Sequence, residues 1–141
     1  MVKDYKNWKD SKKPFKLGLD IHGVIDKLPE FFSFLSESVI KNGGEVHIIT
    51  GGSWNDKLIS ELNSHNIKWT HYFSVYDYMR NNHTTIGGHV EFSDGTRQKR
   101  FKDSDWNKTK GKYCLDNNID LHIDDKEFYS QYFKSPFCLL K

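Results

Sequence analysis

Cysteine and proline are scarce in this chain, and it has no long apolar run. Its 141 residues include two cysteines, Cys114 and Cys138, and neither falls in a CxxC pair. That spacing argues against a disulfide scaffold or a structural zinc site and predicts two reduced, buried thiols. The sequence also lacks an HExxH motif or a Cys/His cluster, so nothing else in it points to zinc. No apolar stretch approaches the ~18 residues of a membrane helix, and no membrane partner is expected. Met1-Val2-Lys3-Asp4-Tyr5 carries a lysine with no apolar segment behind it, so no secretory signal is expected either. A cytoplasmic location fits these features. The formal net charge is only +2, and bulk charge alone does not demand a nucleic-acid partner.

Hydrophobic residues make up 36% and charged residues 28%, which is the balance of a soluble globular chain rather than a disordered one. Residues 1–14 are polar and basic, with Lys3, Lys6, Lys9, Lys12 and Lys13, and read as an N-terminal arm. Residues 15–141 read as one domain. Apolar residues alternate at Phe15, Leu17 and Leu19, predicting a strand that stops at Asp20. Pro29 suits a first helical position, and Phe31, Phe32, Leu35, Val39 and Ile40 follow at helical spacing until Gly43-Gly44. Val46-His47-Ile48-Ile49 predicts a buried parallel strand ending at Thr50. Ser53 and Asp56 resemble a capping box before Leu58, Ile59 and Leu62. A third strand is expected within residues 67–75.

Residues 76–105 are less regular. His89-Val90-Glu91-Phe92 and Thr96-Arg97-Gln98-Lys99 flank Ser93-Asp94-Gly95, which predicts a β-hairpin. A helix over 106–117, a strand at Ile119–Ile123, a helix around Phe128–Phe133 and a strand at Phe137–Leu140 complete the reading. Strands alternating with helices imply an α/β fold: a Rossmann-like three-layer sandwich with a mostly parallel sheet and a small hairpin insert.

In open α/β sheets, ligands bind beyond the carboxyl ends of the strands. Three such ends carry Asp20, Thr50-Gly51 and Asp124-Asp125. A lysine, best placed at Lys110 although Lys108 and Lys112 compete, lies near the start of the preceding helix. Each has a plainer reading: Asp20 as a loop cap, Thr50 as a strand residue, Asp124-Asp125 as a helix N-cap. His47 and His122, inside strands, read as packed or hydrogen-bonded residues. The convergence of three carboxylates, a hydroxyl and an ammonium on one edge is what calls for an explanation.

The order of these residues resembles the haloacid dehalogenase (HAD) superfamily, in its small-cap or capless phosphatase branch. Asp20-Ile21-His22-Gly23-Val24 is similar to the first motif, DxDx[TV]. Ile48-Ile49-Thr50-Gly51 is similar to the second, Lys110 to the third, and Leu121-His122-Ile123-Asp124-Asp125 to the fourth. Receiver domains use similar residues in another order. The resemblance implies a phosphohydrolase in which Asp20 is the nucleophile and forms an aspartyl-phosphate. It implies Mg²⁺ held by Asp20, the backbone carbonyl of His22, Asp124 and Asp125, the last directly or through water. It implies a phosphoryl group bound by Thr50, Gly51 and Lys110. The sequence departs from the pattern at His22, where the branch carries a second Asp as general acid. Imidazole is competent for that role. The same departure also fits a weak or inactive module that binds nucleic acid or a protein.

Only one helix fits between Asp20 and Thr50, so no large cap is expected there, and the site should be open. The substrate class implied is a nucleotide, a nucleic-acid end or another phosphomonoester. The hairpin carries Arg97, Lys99, Arg100 and Lys102 with Phe92, Phe101 and Trp106 nearby. Such interleaving could contact nucleic acid, alongside the basic arm, or be an ordinary solvated face.

Overall fold

A computed structural model describes residues 13–92 and 95–141. The expected N-terminal arm therefore lies almost entirely outside the described residues, as do Ser93 and Asp94 of the hairpin turn. The chain forms β1 (Lys16–Leu19), a tight turn at Ile21–Ile25, α1 (Pro29–Lys41), β2 (Glu45–Thr50), α2 (Asp56–Ser64), β3 (His71–Ser74) and α3 (Val75–Asn82). It continues through β4 (His89–Glu91), β5 (Arg97–Lys99), α4 (Asp103–Asp116), β6 (Leu121–Asp124), a 3₁₀ segment (Glu127–Tyr132) and β7 (Phe137–Leu139).

Five strands make one parallel sheet in the order β3-β2-β1-β6-β7, flanked by helices in a Rossmann-like α/β arrangement. β4 and β5 pair antiparallel as the separate hairpin. The order places β1 at the centre, with β2 and β6 on its two sides. The strand ends bearing Asp20, Thr50 and Asp124 are thus neighbours although the residues are far apart in sequence. The core explains why the central strands are nearly all apolar: Leu17, Leu19, Val46, Ile48 and Ile123 pack with Ile21, Val24, Ile25 and Phe32.

Several expectations need correction. The start of the presumed irregular region is α3, which follows β3 with no loop because Ser74 ends the strand and also caps the helix, its Oγ accepting from Asp77 N at 3.1 Å. The third strand is correspondingly short. α2 is capped by Asn55, whose side chain accepts from Leu58 N at 2.9 Å, and not by Ser53. Ser53 instead donates to Asp77 Oδ1 at 2.8 Å. α4 begins at Asp103, so Lys110 lies in mid-helix rather than near its start. Cys114 is buried as expected, but Cys138 is exposed because β7 is an edge strand and alternate residues face outward. Phe101 is also turned inward, 3% exposed among Val75 and Met79, and is not presented by the hairpin.

Candidate functional site

Asp20 follows β1 with extended backbone, and its N–H donates to Ile123 O at 3.1 Å, a contact that ties it to β6. Asp124 is the last residue of β6 and is wholly buried. Lys110 reaches both from α4. Its Nζ donates to Asp20 Oδ1 at 3.0 Å and to Asp124 Oδ2 at 2.8 Å. Its side chain is almost completely enclosed, and the ammonium stands 4.9 Å from the centre of the Tyr129 ring, a cation–π contact. Gly111 permits this approach, since a Cβ there would overlap Tyr132 O of the 3₁₀ segment. Lys112, by contrast, pairs with Asp116 at the surface, and Lys108 pairs with Asp105. The structure thus separates the three competing lysines and places only Lys110 at the carboxylates.

The electrostatics follow from burial. Burial raises the Asp20 carboxyl from 3.8 to about 6, a shift opposed by Lys110 and reinforced by the nearby Asp124 charge. For Asp124, burial acts in the same direction, but the hydrogen bond from His122 and the Lys110 charge outweigh it and hold the group below the usual carboxylate range. Burial alone would lower Lys110; the charges of Asp20 and Asp124 dominate and raise it.

Asp125 completes the group. Asp20, Asp124 and Asp125 each offer an oxygen, and these oxygens lie within 4.8 Å of one another. Asp125 Oδ1 is buried without a hydrogen-bond partner among the described residues. Lys126 Nζ approaches Asp125 Oδ2 at 3.4 Å from the solvent side, so three carboxylates face one buried and one exposed ammonium, and the orphaned Asp125 Oδ1 still requires a partner. The donor set is all hard oxygen, and it fits a divalent cation of that preference. Asp124 Oδ1 also accepts from Lys126 N at 3.2 Å, so the capping role expected of this pair exists beside the cluster.

Thr50 ends β2 and is 2% exposed. The Gly51–Trp54 turn beyond it is held by β3 and α3. Gly51 O accepts from Tyr76 N at 3.1 Å, Gly52 O from Ser74 Oγ at 2.7 Å, and Asp77 Oδ2 from Trp54 N at 3.0 Å. Trp106 stands over Gly51, 3.6 Å from where a Cβ would be, and donates from Nε1 to Tyr129 OH at 3.3 Å. The hairpin approaches the same turn through Gln98, whose amide lies near Gly52. Ser74, Asp77 and Tyr129 escape a reading of motifs, and Trp106, expected beside the hairpin's basic residues, stands over the Gly51 turn instead. The available signal was Ser74-x-x-Asp77, a capping pattern that also ties down the turn.

His22 occupies the turn after Asp20, with its side chain 65% exposed. Its Nδ1 lies 3.2 Å from Asp26 Oδ2 and 3.7 Å from Glu61 Oε1. Its backbone leads into Gly23, whose φ of +84° turns the chain toward Asp125. A further polar group, Glu45 with His47 and His71, sits at the opposite end of β2. There His47 is already satisfied by Glu45 at 2.8 Å and Tyr113 OH at 2.7 Å. Its ring stacks parallel to His71 at 4.3 Å, and His71 Nδ1 is engaged by Thr70 Oγ1 at 2.8 Å.

No protein-family model matches the chain, and no curated protein matches it in sequence.

Proposed function

We propose that this chain is a Mg²⁺-dependent phosphohydrolase of the HAD type that acts through an aspartyl-phosphate on Asp20. The observation that carries the reading is the single buried ammonium of Lys110 bridging Asp20 and Asp124, with the unsatisfied Asp125 oxygen beside them. Taking these charges out of water is costly, and Lys110 satisfies only part of the carboxylate oxygens, which leaves the Asp125 oxygen for a cation to satisfy.

Asp20, Asp124, Asp125 and the His22 carbonyl would hold Mg²⁺, which supplies positive charge to a bound phosphoryl group. Lys110 keeps Asp20 ionised and oriented. A carboxylate oxygen of Asp20 attacks phosphorus, the ester P–O bond breaks, and the departing oxygen takes a proton. His22 is the group assigned to give it. With Nδ1–H donated to Asp26, Nε2 is the nitrogen free to carry that proton. Thr50 and the Gly51 N–H bind phosphoryl oxygens. Water then cleaves the acyl phosphate, releasing inorganic phosphate and restoring Asp20.

The substrate class is a phosphomonoester, with a nucleotide or a nucleic-acid end favoured by Arg97, Lys99, Arg100 and Lys102 around a hairpin whose Gln98 amide lies near Gly52. A second reading, a binding module that retains the metal site without turnover, is favoured by the exposure of His22 and its attachment to two carboxylates. Hydrolysis of an aryl phosphate with Mg²⁺ or with EDTA decides between them. Turnover that depends on Mg²⁺ and disappears in Asp20→Asn supports the enzyme. Inertness of the wild type toward aryl, nucleotide and oligonucleotide phosphates, with Mg²⁺ still raising Tm, supports the module.

A further inference from the structure

We propose that His122 is a positioning residue that decides which oxygen of Asp124 faces the cation. The inference rests on the reading of Asp20, Asp124 and Asp125 as a metal site.

β6 alternates, so His122 and Asp124 project to the same face of the sheet, two residues apart. His122 is fully buried, and its Nε2 lies 2.9 Å from Asp124 Oδ2. An ionised carboxylate only accepts, so Nε2 carries the proton and donates. Lys110 donates to the same oxygen at 2.8 Å. Two donors occupy Asp124 Oδ2. Oδ1 receives only the long contact from Lys126 N at 3.2 Å and keeps a lone-pair direction for a ligand. Lys110 on Oδ2 and Lys126 N on Oδ1 already restrict the carboxylate's last torsion; His122 adds a second donor to Oδ2 and so leaves Oδ1 the less engaged oxygen.

The fold makes room for this imidazole at a cost. Gly18 lies across from it on β1, where a Cβ would come 2.8 Å from His122 Nδ1. Phe133 stacks on the ring at 5.2 Å and 8°, and Phe137, packed edge-on against Phe133, lies 6.0 Å from the imidazole. Nδ1 faces Gly18 and has no hydrogen bond of good geometry among the described residues. An apolar side chain would fill the same space with no stranded nitrogen. The imidazole supplies an N–H to Asp124 Oδ2. A donor held beside a metal-binding group fixes its geometry, and loss of such partners typically costs about 10–100-fold in metal affinity.

The test is a Mn²⁺ titration of the free protein followed by electron paramagnetic resonance, without substrate, on the wild type and on His122→Phe, His122→Gln, Gly18→Ala and Asp124→Asn. Asp124→Asn marks the part of the binding that belongs to this site, and metal-free urea unfolding reports folding separately. His122→Phe should weaken that binding by about 10–100-fold. His122→Gln, whose amide N–H can take the place of Nε2–H, should restore most of it. Gly18→Ala, pressing on the ring from β1, should weaken it without touching Asp124. A folded His122→Phe protein that binds Mn²⁺ like the wild type overturns the positioning role and leaves the metal site standing. A His122→Gln protein as weak as His122→Phe overturns the hydrogen bond as its basis. Wild-type binding unaffected by Asp124→Asn overturns the metal site, and the role of His122 with it.

Discussion

Gly23 lies directly against the carboxylate of Asp125, so close that a Cβ on Gly23 would overlap Asp125 Oδ2. The backbone there has φ of +84°, a conformation glycine adopts freely and other residues do not. Gly23→Ala therefore carries two penalties. The strained backbone costs about 1–2 kcal/mol, and the displaced Asp125 can no longer share a ligand with Asp20 and Asp124. The expected outcome is a folded protein whose Tm no longer rises with Mg²⁺. A Mg²⁺-induced Tm shift equal to that of the wild type would show that Asp125 is not a ligand.

Lys110 and its two carboxylates form a unit, and removing the cation leaves two buried negative charges uncompensated. Lys110→Met should cost about 3–5 kcal/mol in urea unfolding, because breaking a buried ion pair costs more than its net contribution. Adding Asp20→Asn to Lys110→Met removes one of the stranded charges. The double variant should then be more stable than the sum of the single effects by about 1–3 kcal/mol. Strict additivity would mean that Lys110 and Asp20 do not interact in solution.

The site was more legible in the sequence than the elements around it. Asp20, Thr50 and Asp124 stand where apolar parallel strands stop, and a buried strand is recognisable because both of its faces are covered. α3 was not legible, since Ser74 serves strand and helix alike and the Tyr-Asp-Tyr-Met-Arg-Asn-Asn that follows has only Met79 buried with Val75. The polar start of α4 at Asp103-Ser104-Asp105 hid three helical residues and placed Lys110 at a helix start when it lies in the middle. His122 reads from the sequence as a packed or hydrogen-bonded strand histidine, and its Nε2 is hydrogen-bonded; that the partner is a site carboxylate depends on the i, i+2 geometry and on Gly18 across the sheet, neither of which a motif records.

The raised pKa of Asp20 makes a signed prediction for the metal-free protein. The folded state holds this proton up to about pH 6, whereas the unfolded chain loses it near 3.8. Between those values the folded state binds more protons, so this group's contribution to stability falls as pH rises, and the loss is complete above about 6. Asp124 has the opposite sign: its stabilisation is present above 3.8 and lost only as pH falls through its depressed folded value. Asp20→Asn removes the first effect alone. In EDTA, urea unfolding should show Asp20→Asn gaining on the wild type from pH 4 to pH 7 by a few kcal/mol at most. A saturating divalent cation, which favours the ionised carboxyl, should reverse the gain. A constant difference across that range would mean that Asp20 titrates normally.

The two cysteines differ enough to serve as a reporter of the fold. Cys114 is fully buried and burial raises its thiol to about 12, so almost no thiolate is available at neutral pH. Cys138 is exposed on the edge strand. A disulfide reagent at pH 8 should modify one thiol per chain rapidly and the second only on unfolding. Cys138→Ser should abolish the fast phase; rapid modification of that variant would contradict the burial of Cys114.

His22 offers the sharpest test of the chemistry, because a general acid matters in proportion to how badly the leaving group needs a proton. An alkyl alkoxide departs poorly without one, whereas a nitrophenolate departs readily by itself. If His22 protonates the leaving oxygen, His22→Asn should lower kcat toward an alkyl phosphate by about 10²–10⁴-fold and toward p-nitrophenyl phosphate far less. His22→Asp, restoring a carboxyl at this turn, should recover the alkyl substrate while changing the pH profile. Asp26→Asn, which leaves imidazole Nδ1 with a weaker partner, should fall between the wild type and His22→Asn. Equal losses on both substrates would assign His22 to holding the turn between Asp20 and Gly23, and the proton would then have to come from another group or from water.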